Sequence, residues 1–136
     1  MTGHGDKPVR MIFINLPVRD VNAAREFFTK LGFSFNLEFC DGDSACMVVD
    51  HSIYVMLLAW DRFADFITGE ISDATRFTEV LLCITADSKD EVNRMVATAI
   101  AAGGRPWKPS FEAGSMYGGS FQDLDGHVWE VMYAAE

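Results

Sequence analysis

Cationic side chains are in short supply: 11 Lys and Arg stand against 20 Asp and Glu, a formal net charge of -9. A nucleic-acid backbone needs clustered Lys and Arg, so the deficit argues against that partner and favours neutral or cationic ones. Long hydrophobic runs are missing too. Although 49% of residues are hydrophobic, no apolar stretch approaches the roughly 18 residues of a membrane helix. Met1 to Arg10 lacks the apolar segment of a signal peptide. Cysteine is limited to Cys40, Cys46 and Cys83. Their spacing fits no metal site, and an odd count with no secretion signal reads as reduced thiols in the cytoplasm. Cys40 and Cys46 could meet across a hairpin at Asp41-Gly42-Asp43, with free thiols the preferred reading. Proline is rare, and Pro106 and Pro109 confine their segment to an edge or irregular strand.

What the chain does have is an internal repeat, and repeats fix architecture. Met11 to Asp20 and Glu79 to Asp87 are each an apolar strand-like run ending at an aspartate and leading into a helical pattern. Asp20 or Asn22 can cap the first helix. Val21, Ala24, Phe27, Phe28 and Leu31 fall on one face of it, and Gly32 ends it. Ser88 with Glu91 three residues on is a capping-box signature. Val92, Met95, Val96 and Ala99 form the second stripe, stopped by Gly103-Gly104. Phe33 to Cys40, Ala45 to Val49 and Ile53 to Leu58 read as strands, with Asp41-Gly42 as a turn. In the second half, Gly114, Gly118 and Gly119 read as a flexible turn, and Asp123 to His127 as a tight turn into a last strand, Val128 to Tyr133. The resulting division is a tail at 1–10, one strand-helix-three-strand module at 11–59, an aromatic linker at 60–78 and a second module at 79–134.

Two segments carry a resemblance. Asn15-Leu16-Pro17-Val18-Arg19-Asp20 with Phe27-Phe28-Thr29-Lys30-Leu31-Gly32-Phe33 resembles the opening of vicinal oxygen chelate proteins. Phe121-Gln122-Asp123-Leu124-Asp125-Gly126-His127-Val128-Trp129-Glu130 resembles their closing F-x-D-x-D-G-x-x-x-E signature. This superfamily includes glyoxalase I, extradiol dioxygenases, fosfomycin-modifying enzymes and bleomycin-resistance proteins. The resemblance covers roughly 11–134. It implies an α+β fold, two βαβββ modules forming curled mixed sheets around a shared cavity, and a homodimer. In metal-dependent members, His, Glu or Gln from first and last module strands hold a divalent ion.

Strand side chains alternate between two faces. Ile12, Ile14, Leu16 and Val18 form the helix face of the first strand, leaving Phe13, Asn15 and Pro17 for the cavity. The same alternation sends Tyr54, Met56 and Leu58, then Glu79, Leu81 and Cys83, and finally Val128, Glu130 and Met132 to cavity faces. By resemblance, the metal-ligand positions fall on Phe13, Met56, Leu81 and Glu130. Phe, Met and Leu offer no oxygen or nitrogen donor for a hard or borderline ion. The reading is therefore no metal, with an alternative Mg²⁺ or Mn²⁺ site from Glu130, Glu79 and Asn15. Glu130 stands as a relic, a ligand anchor or a catalytic base. Phe13, Asn15, Tyr54, Met56, Leu81 and Met132 are the candidate ligand wall, with Trp60 or Trp107 as further aromatics.

The expected partner is a small organic molecule, neutral or cationic, bound as in the metal-free bleomycin-resistance branch. A lyase, isomerase or dioxygenase with a non-standard metal site is the alternative, and a structural dimer without small ligand a third reading. His51 and His127 are expected to face solvent at turns. Tyr117 is expected either in a mobile lid or as an exposed loop aromatic.

Overall fold

The computed structural model describes residues 9–135. The expected tail lies outside them except for Val9 and Arg10, which are exposed. Strand β1 (Ile12–Val18) leads into helix α1 (Val21–Lys30), then β2 (Ser34–Phe35), β3 (Ser44–Asp50) and β4 (Ile53–Ala59). A short helix α2 (Trp60–Ala64) begins the linker. The second half runs β5 (Leu81–Thr85), α3 (Lys89–Ala101), β6 (Arg105–Pro106), β7 (Phe111–Ala113), β8 (Met116–Gln122) and β9 (Val128–Ala134). The repeat is plain in the pairing: one sheet is ordered β1-β4-β3-β2 and the other β5-β9-β8-β6, with β7 also on β8. In each sheet the first strand pairs parallel with the last, and the remaining pairs are antiparallel. These are two mixed, curled sheets that do not close.

Local chemistry sets the helices. Asp20 caps α1 by accepting from Ala23 N at 3.0 Å, and Gly32 turns the chain away at φ 106°. Ser88 caps α3 by accepting from Glu91 N, while the Glu91 carboxylate reaches back to Asp87 N at 2.6 Å. Each helix presents its expected stripe: Val21, Ala24, Phe27 and Phe28 are buried on α1, and Val92 and Ala99 on α3.

Three expectations need correction. Phe33 to Cys40 is not one strand: after Phe35 the Asn36 side chain accepts from Glu38 N and starts a 3₁₀ turn, Leu37–Phe39. Gly118 and Gly119 are not a flexible turn but the buried middle of β8. A Cβ on Gly118 would meet Met132 Sδ at 2.4 Å, and one on Gly119 would meet Val96 Cγ2 at 3.0 Å, so a side chain at either position would displace packed neighbours. Tyr117 is not in a lid: it lies in β8 and its hydroxyl donates to Asn93 Oδ1 on α3 at 2.5 Å.

The core joins the two modules. Leu16, Val18, Val55 and Leu57 from the first sheet, helices α1 and α3, and Leu82, Phe121, Trp129 and Val131 from the second form one cluster. Helix α1 is the bridge. Phe28 packs 5.1 Å from Trp129, and Phe27 lies 6.2 Å from Phe121, centroid to centroid. The helix-bearing faces of the sheets therefore turn inward toward each other, and their bare faces turn outward.

Candidate functional site

On the bare face of the first sheet, the parallel register sets Phe13 beside Tyr54, Asn15 beside Met56 and Pro17 beside Leu58. Phe13 and Tyr54 stack at 4.8 Å with ring planes 13° apart, and the Tyr54 hydroxyl donates to His51 O. On the bare face of the second sheet, Leu81 lies beside Val128, Cys83 beside Glu130 and Thr85 beside Met132. Ser120 is opposite Glu130 and Gly118 opposite Met132. Burial first, and the Glu130 carboxylate second, push the Cys83 thiol up.

The candidate residues are thus gathered into two groups: Phe13, Asn15, Tyr54 and Met56 on one sheet, Leu81, Glu130 and Met132 on the other. Because the bare faces look outward from a common core, one chain does not bring the groups against each other. Each surface is open in part: Phe13 is 46% and Leu81 51% exposed, while Leu58 and Val128 on the same faces are buried.

The turn Asp123 to His127 holds the second module against the first. Asp123 is buried and accepts from Trp129 Nε1 at 3.0 Å and from the backbone N–H groups of Asp125 and His127. Asp125 Oδ1 accepts from Arg19 N at 2.8 Å. Burial, the largest influence on each, raises both carboxyls above their ordinary range. His127 does not face solvent as expected. It is 8% exposed, and its Nε2 lies 2.8 Å from Pro17 O, a spacing that places the proton on Nε2. His51, at the matching turn of the first module, is exposed as expected.

Arg19 ties the linker into this junction. Its guanidinium lies 4.8 Å over the Trp60 ring and 3.5 Å from Asp73 Oδ1. Asp73 in turn accepts from Thr75 N and Oγ1, which fixes the turn, and the adjoining Ala74 backbone lies against Gly126. The linker is therefore a strap across the seam, with a cavity of about 370 Å³ beneath it.

Asn15 and Glu79 share that cavity, and Glu130 is not among its lining residues. The alternative metal set of Glu130, Glu79 and Asn15 is thus not assembled around one space. Among the described residues no three His, Cys, Asp or Glu side chains are grouped to hold a metal ion. The residues present do not fit the ion of the metal-dependent members. The cavity and the buried histidine were not anticipated from sequence. The D-x-D-G-H motif was their only visible signal.

Among the described residues no helix is long and apolar enough to cross a membrane. Residues 10–50 match the family described as bleomycin resistance protein-like N-terminal. No curated protein matches the chain. Solved structures do. A hypothetical protein from S. aureus superposes with a TM-score of 0.81 at 22% identity, covering 98% of this chain and 100% of that one. A glyoxalase/bleomycin resistance protein/dioxygenase family enzyme from Burkholderia phytofirmans gives 0.78 at 21% identity, covering 93% and 100%. A lactoylglutathione lyase from Agrobacterium tumefaciens gives 0.66 at 18% identity, covering 93% and 95%. At these identities the likeness is one of fold, and one fold hosts many chemistries.

Proposed function

We propose that this chain belongs to the vicinal oxygen chelate superfamily, as its fold and the match of residues 10–50 support, and that it is a small-molecule binding protein that works without a metal ion. The observation that carries the reading is the make-up of the bare sheet faces. Where metal-dependent relatives are expected to place ligands, this chain has Phe13, Met56 and Leu81, and only Glu130 bears a donor. Such a surface binds by apolar contact at roughly 25 cal/mol per Å² buried. A single half-buried carboxylate then sets orientation and prefers a hydrogen-bond donor or a cation. The ligand is a small, partly aromatic, neutral or cationic molecule, in keeping with the net charge of -9.

The two faces become one site when a second copy sets its Glu130 sheet opposite the Phe13 sheet of the first. The open apolar side chains Phe13 and Leu81 support that assembly. The test is a thermal-shift screen of neutral and cationic aromatic compounds, since a ligand of the folded state raises its melting temperature. Hits are then titrated against Glu130→Gln and Met56→Glu. Weaker binding in both supports the site. Unchanged affinity in both removes it, and no hit from the screen removes the binding function.

A further inference from the structure

We propose that the cavity beneath the linker strap is a second small-molecule site, sharing only Asn15 with the candidate ligand wall of the sheet faces, for a neutral or cationic molecule of about two fused rings. It goes beyond the function proposed above and does not rest on it.

Size comes first. The cavity measures about 370 Å³, within the range of ligand pockets. An apolar protein cavity of roughly 150 Å³ holds one benzene ring, so about twice that admits two fused rings. Wall chemistry points the same way. The strap contributes Phe63, Ile67 and Phe77, and the sheets contribute Pro17, Val80 and Val128. Phe77 is 59% exposed. An aromatic ring left so open gains by covering a flat apolar ligand.

A few polar groups converge on this wall, as orientation requires. Asn15 Nδ2 makes only a long 3.4 Å bond to Phe13 O, so its amide is available. The His127 ring is held in place through Nε2 by Pro17 O. Glu70 and Glu79 also line the space, and no Lys or Arg does so among the described residues. An anion entering would meet two lining carboxylates against one nearby guanidinium, Arg76, 5.3 Å over the Phe77 ring, whereas a neutral molecule or a cation would be opposed less.

The cavity is also built rather than incidental. Arg19 fixes the strap at Asp73, and Gly126 lets the Ala74 backbone approach so closely that a Cβ would sit 2.8 Å from it. The wall positions are therefore set before any ligand arrives, which reduces the ordering cost of binding.

The experiment titrates the full chain with 6-propionyl-2-dimethylaminonaphthalene, a neutral two-ring fluorophore, and with the anionic 8-anilino-1-naphthalenesulfonate. The expected result is one saturable site per chain for the neutral probe, with the sulfonate about tenfold weaker. Phe77→Ala removes a wall and Ser72→Trp fills the space. Both positions are exposed, and each variant should weaken the neutral probe about tenfold. Arg94→Ala, exposed on α3, should leave it within about twofold. If Phe77→Ala fails to fold, Ser72→Trp alone decides. The proposal is overturned if the probe responds to Arg94→Ala and ignores the strap variants, if the sulfonate binds equally well, or if no saturable site exists.

Discussion

At Asp123 one buried carboxylate accepts three N–H groups, from Trp129 and from the backbone at Asp125 and His127. Truncation to alanine strands all three, and an unmet buried donor costs about 1–3 kcal/mol. Asp123→Ala should therefore lose about 2–4 kcal/mol in urea unfolding, measured as a lower midpoint at constant slope. Asp125 offers a test by pH. Its folded carboxyl holds a proton more tightly than the ordinary value of 3.8, chiefly because it is buried. Its contribution to stability is thus fullest below that value and is lost as the pH rises through the raised folded one. Asn keeps an oxygen for Arg19 N and does not titrate. The melting temperature of Asp125→Asn should therefore gain on the parent from about pH 3 to about pH 7, and a variant that loses ground over that range would contradict the burial effect. The motif behind both residues was legible as a turn. Its partners were not, because Arg19 and Pro17 lie 106 and 110 residues away in sequence and nothing local announces them.

Among elements, the strap and its glycine make the sharpest contrast. Gly32 and Gly126 both have positive φ, but a Cβ on Gly32 meets nothing within 4 Å while one on Gly126 strikes the Ala74–Thr75 backbone. Gly32→Ala should cost about 1 kcal/mol of backbone strain, and Gly126→Ala about 2–3 kcal/mol, because a backbone must also move. Thermal melts of the pair measure the difference. Ser88→Ala should remove the α3 cap for about 1 kcal/mol. Both helices were legible because apolar periodicity and caps agree over ten or more residues. The short pieces were not. Two-residue β2 stops where the Asn36 side chain outcompetes a strand ladder, and β8 passes through two glycines that flexibility alone would send to a loop. Alternation did predict which strand residues share a face, as the Phe13–Tyr54 stack shows. It could not say where each face would point once α1 joined the sheets.

For the whole molecule, the open apolar side chains argue for assembly. Beyond Phe13 and Leu81, Phe111 and Met116 from the second sheet are also exposed. Among the described residues, strands β1 and β5 are sheet edges. Light scattering should report twice the chain mass. Phe13→Lys should shift the population toward single chains while leaving the far-ultraviolet spectrum intact. A single-chain mass for the parent at high concentration would refute the homodimer. The common core has a further corollary, in cooperativity. Phe27 and Phe28 of the first module rest on Phe121 and Trp129 of the second, so neither repeat owns a complete interior. A duplicated unit of this kind behaves as one foldon rather than two. Amide hydrogens at the centres of β4 and β9 would exchange only through the same global opening, and a fragment ending within the strap would remain unstructured until its missing half was added in trans.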